Sequence, residues 1–167
     1  MEFLYIVFSV VLGACFGSFL NVVIHRLPLK QSIAFPASHC PECKGKIKPY
    51  DNIPVLSYFI LQGKCRNCEK EIPSRYLFVE VLTAACFLTL LMTNRYVLDF
   101  VLLKNIVFFT TGIAIIYIDF KHYIIPDIIS IPLIFLGIAF SFITPDPGWQ
   151  HSLMGAGLGF GIFLLIS

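Results

Sequence analysis

Residues 3–28 read FLYIVFSVVLGACFGSFLNVVIHRLP, and residues 3–24 of this stretch hold no charged side chain. A helix of about 20 apolar residues crosses the hydrocarbon of a bilayer, so the run is predicted to be a membrane span. The basic residues follow the run, and the only early charge is Glu2. That order argues against a cleavable signal peptide, which begins basic and ends at a small-residue cleavage site. Composition extends the membrane reading to the whole chain. Hydrophobic residues make up 57% and charged residues 13%, with mean hydropathy +0.84, whereas a soluble surface needs about a quarter of residues charged. Inside the span Gly13 and Gly17 form a small-xxx-small pair that predicts close helix packing, while Ser18 and Asn21 put polar groups at membrane depth.

The charges that exist are concentrated. Nine of the twelve Lys and Arg residues and four acids (Glu42, Asp51, Glu69, Glu71) lie between His25 and Arg75, so that loop carries +5 and the remainder −3. Basic loops stay cytoplasmic, which predicts an outer N-terminus and an inner loop. A nucleic-acid role does not follow from this basic loop, because the acids are interspersed and aromatic residues are sparse.

Within the loop, Cys40-Pro-Glu-Cys43 and Cys65-Arg-Asn-Cys68 are two C-x-x-C pairs. Four thiolates at that spacing predict a tetrahedral zinc site, with two disulfides or four unrelated core cysteines as alternatives. A cytoplasmic, reducing location favours the metal, and nearby Lys44, Lys46, Lys64 and Arg66 favour thiolates. Prolines at 36, 41, 49, 54 and 73 exclude long helices from this segment, which reads as a small loop-rich module. Its apolar patch, residues 53–61, is too short to span; it packs over the metal or lies on the bilayer surface.

Further spans are predicted at residues 76–92, 100–118 and 128–144, and a last apolar run starts near Leu153. Glu80 is expected to snorkel to the interface or pair with Arg75 more readily than to act in catalysis. Trp149 suits an interfacial turn at residues 145–150. Gly155, Gly157, Gly159 and Gly161 form two small-xxx-small pairs that predict tight packing of the last helix. Asp119 closes the third span where lipid gives way to water. An unpaired carboxylate there is a candidate acid/base group, the alternative being an interfacial pair with Lys121 or His122. Asp127 follows Pro126 and reads mainly as the N-cap of the fourth span. Eight residues of helix would separate the two aspartates by about 12 Å, too far for a shared proton unless the chain turns at Pro126.

Taken together, these residues resemble a known family. Gly17-Ser18-Phe19-Leu20-Asn21 with His25-Arg26-Leu27-Pro28 comes first, then the C-x-x-C pairs bracketing Asp51-Asn52-Ile53-Pro54 and Ser57-Tyr58. Arg75-Tyr76 with Glu80 follows, then Ile118-Asp119 and Ile125-Pro126-Asp127. In this order, through essentially the whole chain, they resemble the bacterial type IV prepilin peptidases. The resemblance implies a G-x-G-D aspartic protease of the bacterial inner membrane that cuts the basic leaders of prepilins and pseudopilins after a Gly. It also implies methylation of the new N-terminal residue, with S-adenosylmethionine as donor. By the family's motif Asp119 corresponds to the first catalytic aspartate, and Cys40, Cys43, Cys65 and Cys68 to the zinc cysteines.

The second aspartate of the family belongs to a G-x-G-D motif downstream of a Gly-rich helix, and residues 1–167 contain no such motif. The chain is accordingly expected to be the N-terminal part of an enzyme, inactive alone. Its expected fold is an all-α polytopic integral membrane protein with a small cytoplasmic zinc-binding module. Residues 1–24 would be the first span, 25–75 the zinc module and 76–167 a helical peptidase domain incomplete at its C-terminus. No Gly-rich strand–turn–helix marks a site for S-adenosylmethionine. The competing reading, kept open by the absent aspartate, is a non-catalytic membrane scaffold whose zinc module binds a pilus or secretion-system partner.

Overall fold

Helices with few charges and a loop without helical length give the architecture directly. The computed structural model describes residues 2–144 and 148–166, with side chains of the last helix described for 148–159, 161 and 162. The helices are α1 (Glu2–Arg26), α2 (Leu56–Ile60), α3 (Arg75–Thr93), α4 (Phe100–His122), α5 (Asp127–Ile143) and α6 (Gly148–Ile166), with a 3₁₀ turn at Pro49–Asn52. Among the described residues there is no strand, only isolated bridges between His39 and Lys46 and between Lys64 and Glu71. α1, α3 and α4 are each long and apolar enough to cross a membrane, and α5 is a shorter apolar helix.

α1 and α3 form the tightest pair, antiparallel and in strict register. A Cβ on Gly13 would lie 2.8 Å from Ala84 Cα, and one on Gly17 would lie 2.6 Å from Glu80 Cα. Four residues further on, Asn21 Nδ2 donates to Tyr76 O at 2.9 Å. Each step of four along α1 is thus matched by four backwards along α3, which is the i, i+4 ridge of a helix face used for contact. The predicted close packing at Gly13 and Gly17 is present, and Asn21 supplies the polar link that membrane helices use.

α4 joins this pair near the end where the cysteine-bearing loop module is attached. Leu20 and Ile24 of α1, Val79 of α3, and Ala114 and Ile118 of α4 make the buried cluster, with Leu27, Ile113, Tyr117 and Ile129 packed against it. Asp119 is therefore carried next to the best-packed position of α4. Outside this cluster large apolar side chains such as Phe8, Phe108, Phe120 and Phe142 stay exposed, as expected of helices whose solvent is lipid.

Two expectations are corrected. α6 begins at Gly148, so Trp149 lies in its first turn and not in a connecting turn; residues 145–147 of that turn lie outside the described residues. The glycines of α6 do not pack tightly: nothing lies within 4 Å of a Cβ placed on Gly155, Gly157, Gly159 or Gly161. Among the described residues α6 packs mainly on α5, and its glycine positions face open space. A small-xxx-small pattern permits a close approach but cannot create a neighbour.

The two kinds of glycine are expected to respond oppositely to an added methyl group. Gly17→Ala must push α1 away from the α3 backbone, and overpacking of this kind costs about 1–3 kcal/mol. Gly112, in the middle of α4, has nothing within 4 Å of its Cβ position, so Gly112→Ala should gain about 0.5–1 kcal/mol of helix propensity. Thermal unfolding in detergent should show a lowered midpoint for the first variant and an unchanged or raised one for the second.

Candidate metal centre and carboxylates

Each C-x-x-C pair folds into the same small loop. In the first, Cys40 N donates to Gly45 O (3.0 Å) and Lys44 N donates to Cys40 O (2.9 Å). In the second, Cys65 N donates to Lys70 O (2.8 Å) and Glu69 N donates to Cys65 O (2.9 Å). The residue after the second cysteine takes a positive φ in both, 55° at Lys44 and 57° at Glu69. The bridges His39–Lys46 and Lys64–Glu71 close the two loops at equivalent places. The loops face one another, since a Cβ on Gly45 would meet the Asn67 amide at 2.5 Å and Cys43 Sγ at 3.3 Å.

This brings the four Sγ atoms of Cys40, Cys43, Cys65 and Cys68 within 4.8 Å of one another. Cys40 Sγ and Cys68 Sγ are 3.8 Å apart, and the edge of a tetrahedron with metal–sulfur bonds of about 2.3 Å is also about 3.8 Å. All six cysteines of the chain are free, and a disulfide would need sulfurs about 2.05 Å apart. The thiols also shape one another electrostatically. Backbone N–H groups of Asn67 and Cys68 bring the Cys65 thiol down to about 7. The Lys70 N–H favours the Cys68 thiolate, but desolvation and the sulfurs of Cys43, Cys65 and Cys40 outweigh it and push that thiol up to about 12. Four thiolates cannot gather here without a cation among them. Size, donor set and charge therefore all fit a closed four-sulfur metal site.

Around this centre, Arg66 of the second loop grips Asp51 of the 3₁₀ turn. Arg66 Nη2 donates to Asp51 Oδ1 at 2.6 Å and Nε donates to Oδ2 at 2.9 Å, and these charge-assisted bonds hold the Asp51 carboxyl below its usual range. The cations of Lys48 and Arg66 each lie 5.6 Å from the ring centre of Tyr50. The apolar patch is not packed over the sulfur cluster, because Leu56, Phe59 and Ile60 are exposed.

The module is fastened to the membrane helices by Glu80. Its Oε2 accepts the Val55 N–H at 2.7 Å, and Ser18 lies beside the same carboxylate. Val55 has φ 64° and ψ −54°, and Leu56 N donates to Pro54 O at 2.6 Å. That is a γ-turn of the left-handed kind, rare and strained, on a β-branched residue. Glu80 is only 9% exposed and forms no ion pair with Arg75. The two are five residues apart, a spacing that puts them on different faces of the helix. Arg75 instead stacks 5.2 Å from the Tyr76 ring centre. The expected pairing with Arg75 is thus replaced by a contact between distant segments.

Asp119 lies exposed in the last turn of α4, and that helix ends at Tyr123, which adopts the left-handed conformation at φ 54°. Among the described residues the one ion pair is Arg66–Asp51, so Asp119 is not paired with Lys121 or His122. Asp127 is the first residue of α5, and Pro126 holds the N-cap position with no side-chain cap. The capping role expected of Asp127 is corrected accordingly: Pro126 O already accepts from Ile129 N and Ser130 N. Asp127 is exposed and its negative charge lies in the first turn, where the helix dipole favours it.

Comparison with known proteins gives the family of the chain. Residues 11–94 match the family model of the bacterial peptidase A24 N-terminal domain, and residues 106–167 match that of the type IV leader peptidase family. The chain belongs to the type IV prepilin leader peptidase family. Similar proteins include the prepilin leader peptidase/N-methyltransferases of Myxococcus xanthus, 40% identical over 98% of this chain and 48% of the relative, and of Vibrio cholerae, 34% identical over 99% and 66%. That of Klebsiella pneumoniae is 34% identical over 89% of this chain and 67% of the relative. The chain thus spans between about half and two thirds of the length of these relatives. No solved structure matches it.

For this leader peptidase family member, sequence reasoning missed the Ser18–Glu80–Val55 contact. Nothing in the spacing of residues 18, 55 and 80 announces it; a carboxylate buried in a span was the one available signal. The metal site has a direct check. Metal analysis of the purified protein should find about one divalent ion per chain, falling to background when Cys43→Ser and Cys68→Ser are combined. Metal retained in that double variant would place the ligands elsewhere.

Proposed function

We propose that this chain supplies the metal-stapled module and the first catalytic carboxylate of a prepilin leader peptidase/N-methyltransferase. It would lie in the bacterial inner membrane, N-terminus outside and module on the cytoplasmic side, acting on prepilins or pseudopilins. The observation that carries the reading is Asp119, an exposed carboxylate without an ion pair at the end of a helix long enough to span. In an aspartic protease one ionised carboxylate takes a proton from water while a protonated partner polarises the scissile carbonyl. Asp119 is one of the two, and the partner is the aspartate of a G-x-G-D motif. Placed where α4 leaves the lipid, Asp119 meets water and a membrane-anchored leader at the same depth. Asp127, exposed at the start of α5, is the secondary candidate.

The metal of the module is zinc, held by Cys40, Cys43, Cys65 and Cys68. Four thiolates leave no open position, so its role is structural. The N-methyltransferase half of the reading implies S-adenosylmethionine, which when bound supplies an electrophilic methyl group for the new N-terminal amine. A cavity of about 340 Å³ between α1 and residues 33–38 is lined by Ser18, Arg26, Ser38 and Asn52. That volume is in the range of small-molecule pockets. Ser18, Ser38 and Asn52 would offer hydroxyl and amide groups to the donor there.

The decisive assay is leader cleavage by the whole enzyme, with its G-x-G-D aspartate present. Asp119→Asn should lower the rate at least about 10²–10⁴-fold, the contribution of a general acid/base group, and leave metal content unchanged. Undiminished cleavage by Asp119→Asn would remove Asp119 from the chemistry and return weight to a scaffold role.

A further inference from the structure

The segment that follows the Glu80 contact is amphipathic in the wrong sense for water. Leu56, Phe59 and Ile60 recur at the spacing of one face of α2, Ile53 precedes the turn that starts it, and the four are 60%, 66%, 69% and 44% exposed. The polar members of the same segment, Ser57 and Tyr58, are half-buried against the protein. A short element in water would turn its apolar stripe inward. Here the apolar stripe faces out and the polar side faces in, which is stable only if the outer medium is itself apolar.

The position of the segment says which medium that is. Glu80 lies five residues into α3 from Arg75, about 7.5 Å along the helix axis. From Arg75 to Arg95 that helix and its cap measure about 30 Å, the thickness of the hydrocarbon core. A helical side chain leans towards the helix N-terminus, so the Glu80 carboxylate reaches back to the boundary of the hydrocarbon. Val55 N is 2.7 Å from that carboxylate, and α2 starts at the next residue. The strained γ-turn thus begins α2 at the level where acyl chains meet headgroups, continuous with the lipid-facing sides of α1 and α3.

We propose that residues 53–60 are a membrane-inserted edge of the module, with Ile53, Leu56, Phe59 and Ile60 seated in the lipid leaflet on the module side. The partner is the bilayer: acyl chains around the four apolar side chains and headgroups level with Ser57 and the following Gln62 and Lys64. The two attachments, Glu80 to Val55 and apolar stripe to lipid, hold the metal module flat against the membrane instead of tethered above it. This does not depend on which reaction the chain serves.

A tryptophan reporter tests it. The chain has a single Trp, so Phe59→Trp in a Trp149→Phe background gives one emitter in the full chain, reconstituted in phosphatidylcholine–phosphatidylglycerol vesicles. With lipids brominated near the top of the acyl chains, the emission should be blue-shifted and quenched at least about half as strongly as that of Phe108→Trp, an exposed position on α4. Glu69→Trp, on the metal loop, should be unquenched. Unchanged metal content shows that each variant is folded. Water-like emission from position 59 that iodide quenches and brominated lipid does not would overturn the proposal. Blue emission reached by neither quencher would also overturn it, by placing the segment against a second protein.

Discussion

The hydrogen bond from Val55 N–H to the Glu80 carboxylate, 2.7 Å long, is the contact on which the arrangement of this molecule depends. It joins two parts that otherwise have little reason to hold one geometry: a bundle whose solvent is lipid and a loop module that faces water. The bundle can present Glu80 there because Gly17 lets α1 come within van der Waals contact of the Glu80 backbone, and Ser18, the next residue, then reaches the carboxylate. A buried carboxylate costs a few kcal/mol if left without a donor. It is retained here because the Val55 N–H of the module donates to it. The strain at Val55, of order 1–3 kcal/mol for such backbone conformations, is the counterpart of that fastening.

The module beyond the fastening lacks a core of its own. Between Leu27 and Ser74 only Cys40 and Gly63 are buried, far too little apolar burial to offset the entropy of ordering nearly fifty residues. A metal held by the four cysteines would take the place of that core. Two loops with the same hydrogen-bond pattern, each closed by a residue at positive φ, aim four sulfurs at one point, and Arg66–Asp51 ties the second loop to the 3₁₀ turn. Binding free energy at such a site is folding free energy. Asp119 lies at the end of α4 on the side where the module is attached, and the buried cluster around Ile24, Val79 and Ile118 packs that end of α4 against α1 and α3.

Much of this was legible in the sequence because it is carried by local pattern. The uncharged run at residues 3–24 and the later apolar runs give the helices to within a few residues, Gly13 and Gly17 give the tight pair, and C-x-x-C twice gives the sulfur cluster. What was not legible depends on pairs of residues far apart in the chain. Glu80 was expected near Arg75 because sequence shows neighbours along the chain, and its partner Val55 lies 25 residues away. Asp127 looked like a cap because it follows a proline, but backbone geometry moved the cap to Pro126. The α6 glycines carried a packing pattern with no helix against it among the described residues. The apolar patch at 53–61 had two readings in the sequence, and only its exposure and its tie to Glu80 separated them.

The central claim is that Glu80 fastens the module to the membrane helices without contributing to the metal site. Hydrogen–deuterium exchange of the full chain in lipid nanodiscs, comparing the native protein with Glu80→Ala, tests it most directly. The account expects exchange in peptides covering residues 53–60 to speed up at least about tenfold, the effect of losing about 1.4 kcal/mol of local protection, while peptides covering the two cysteine loops and the metal content stay as they were. Unchanged exchange at residues 53–60 in Glu80→Ala would contradict it, and so would loss of the metal together with the fastening.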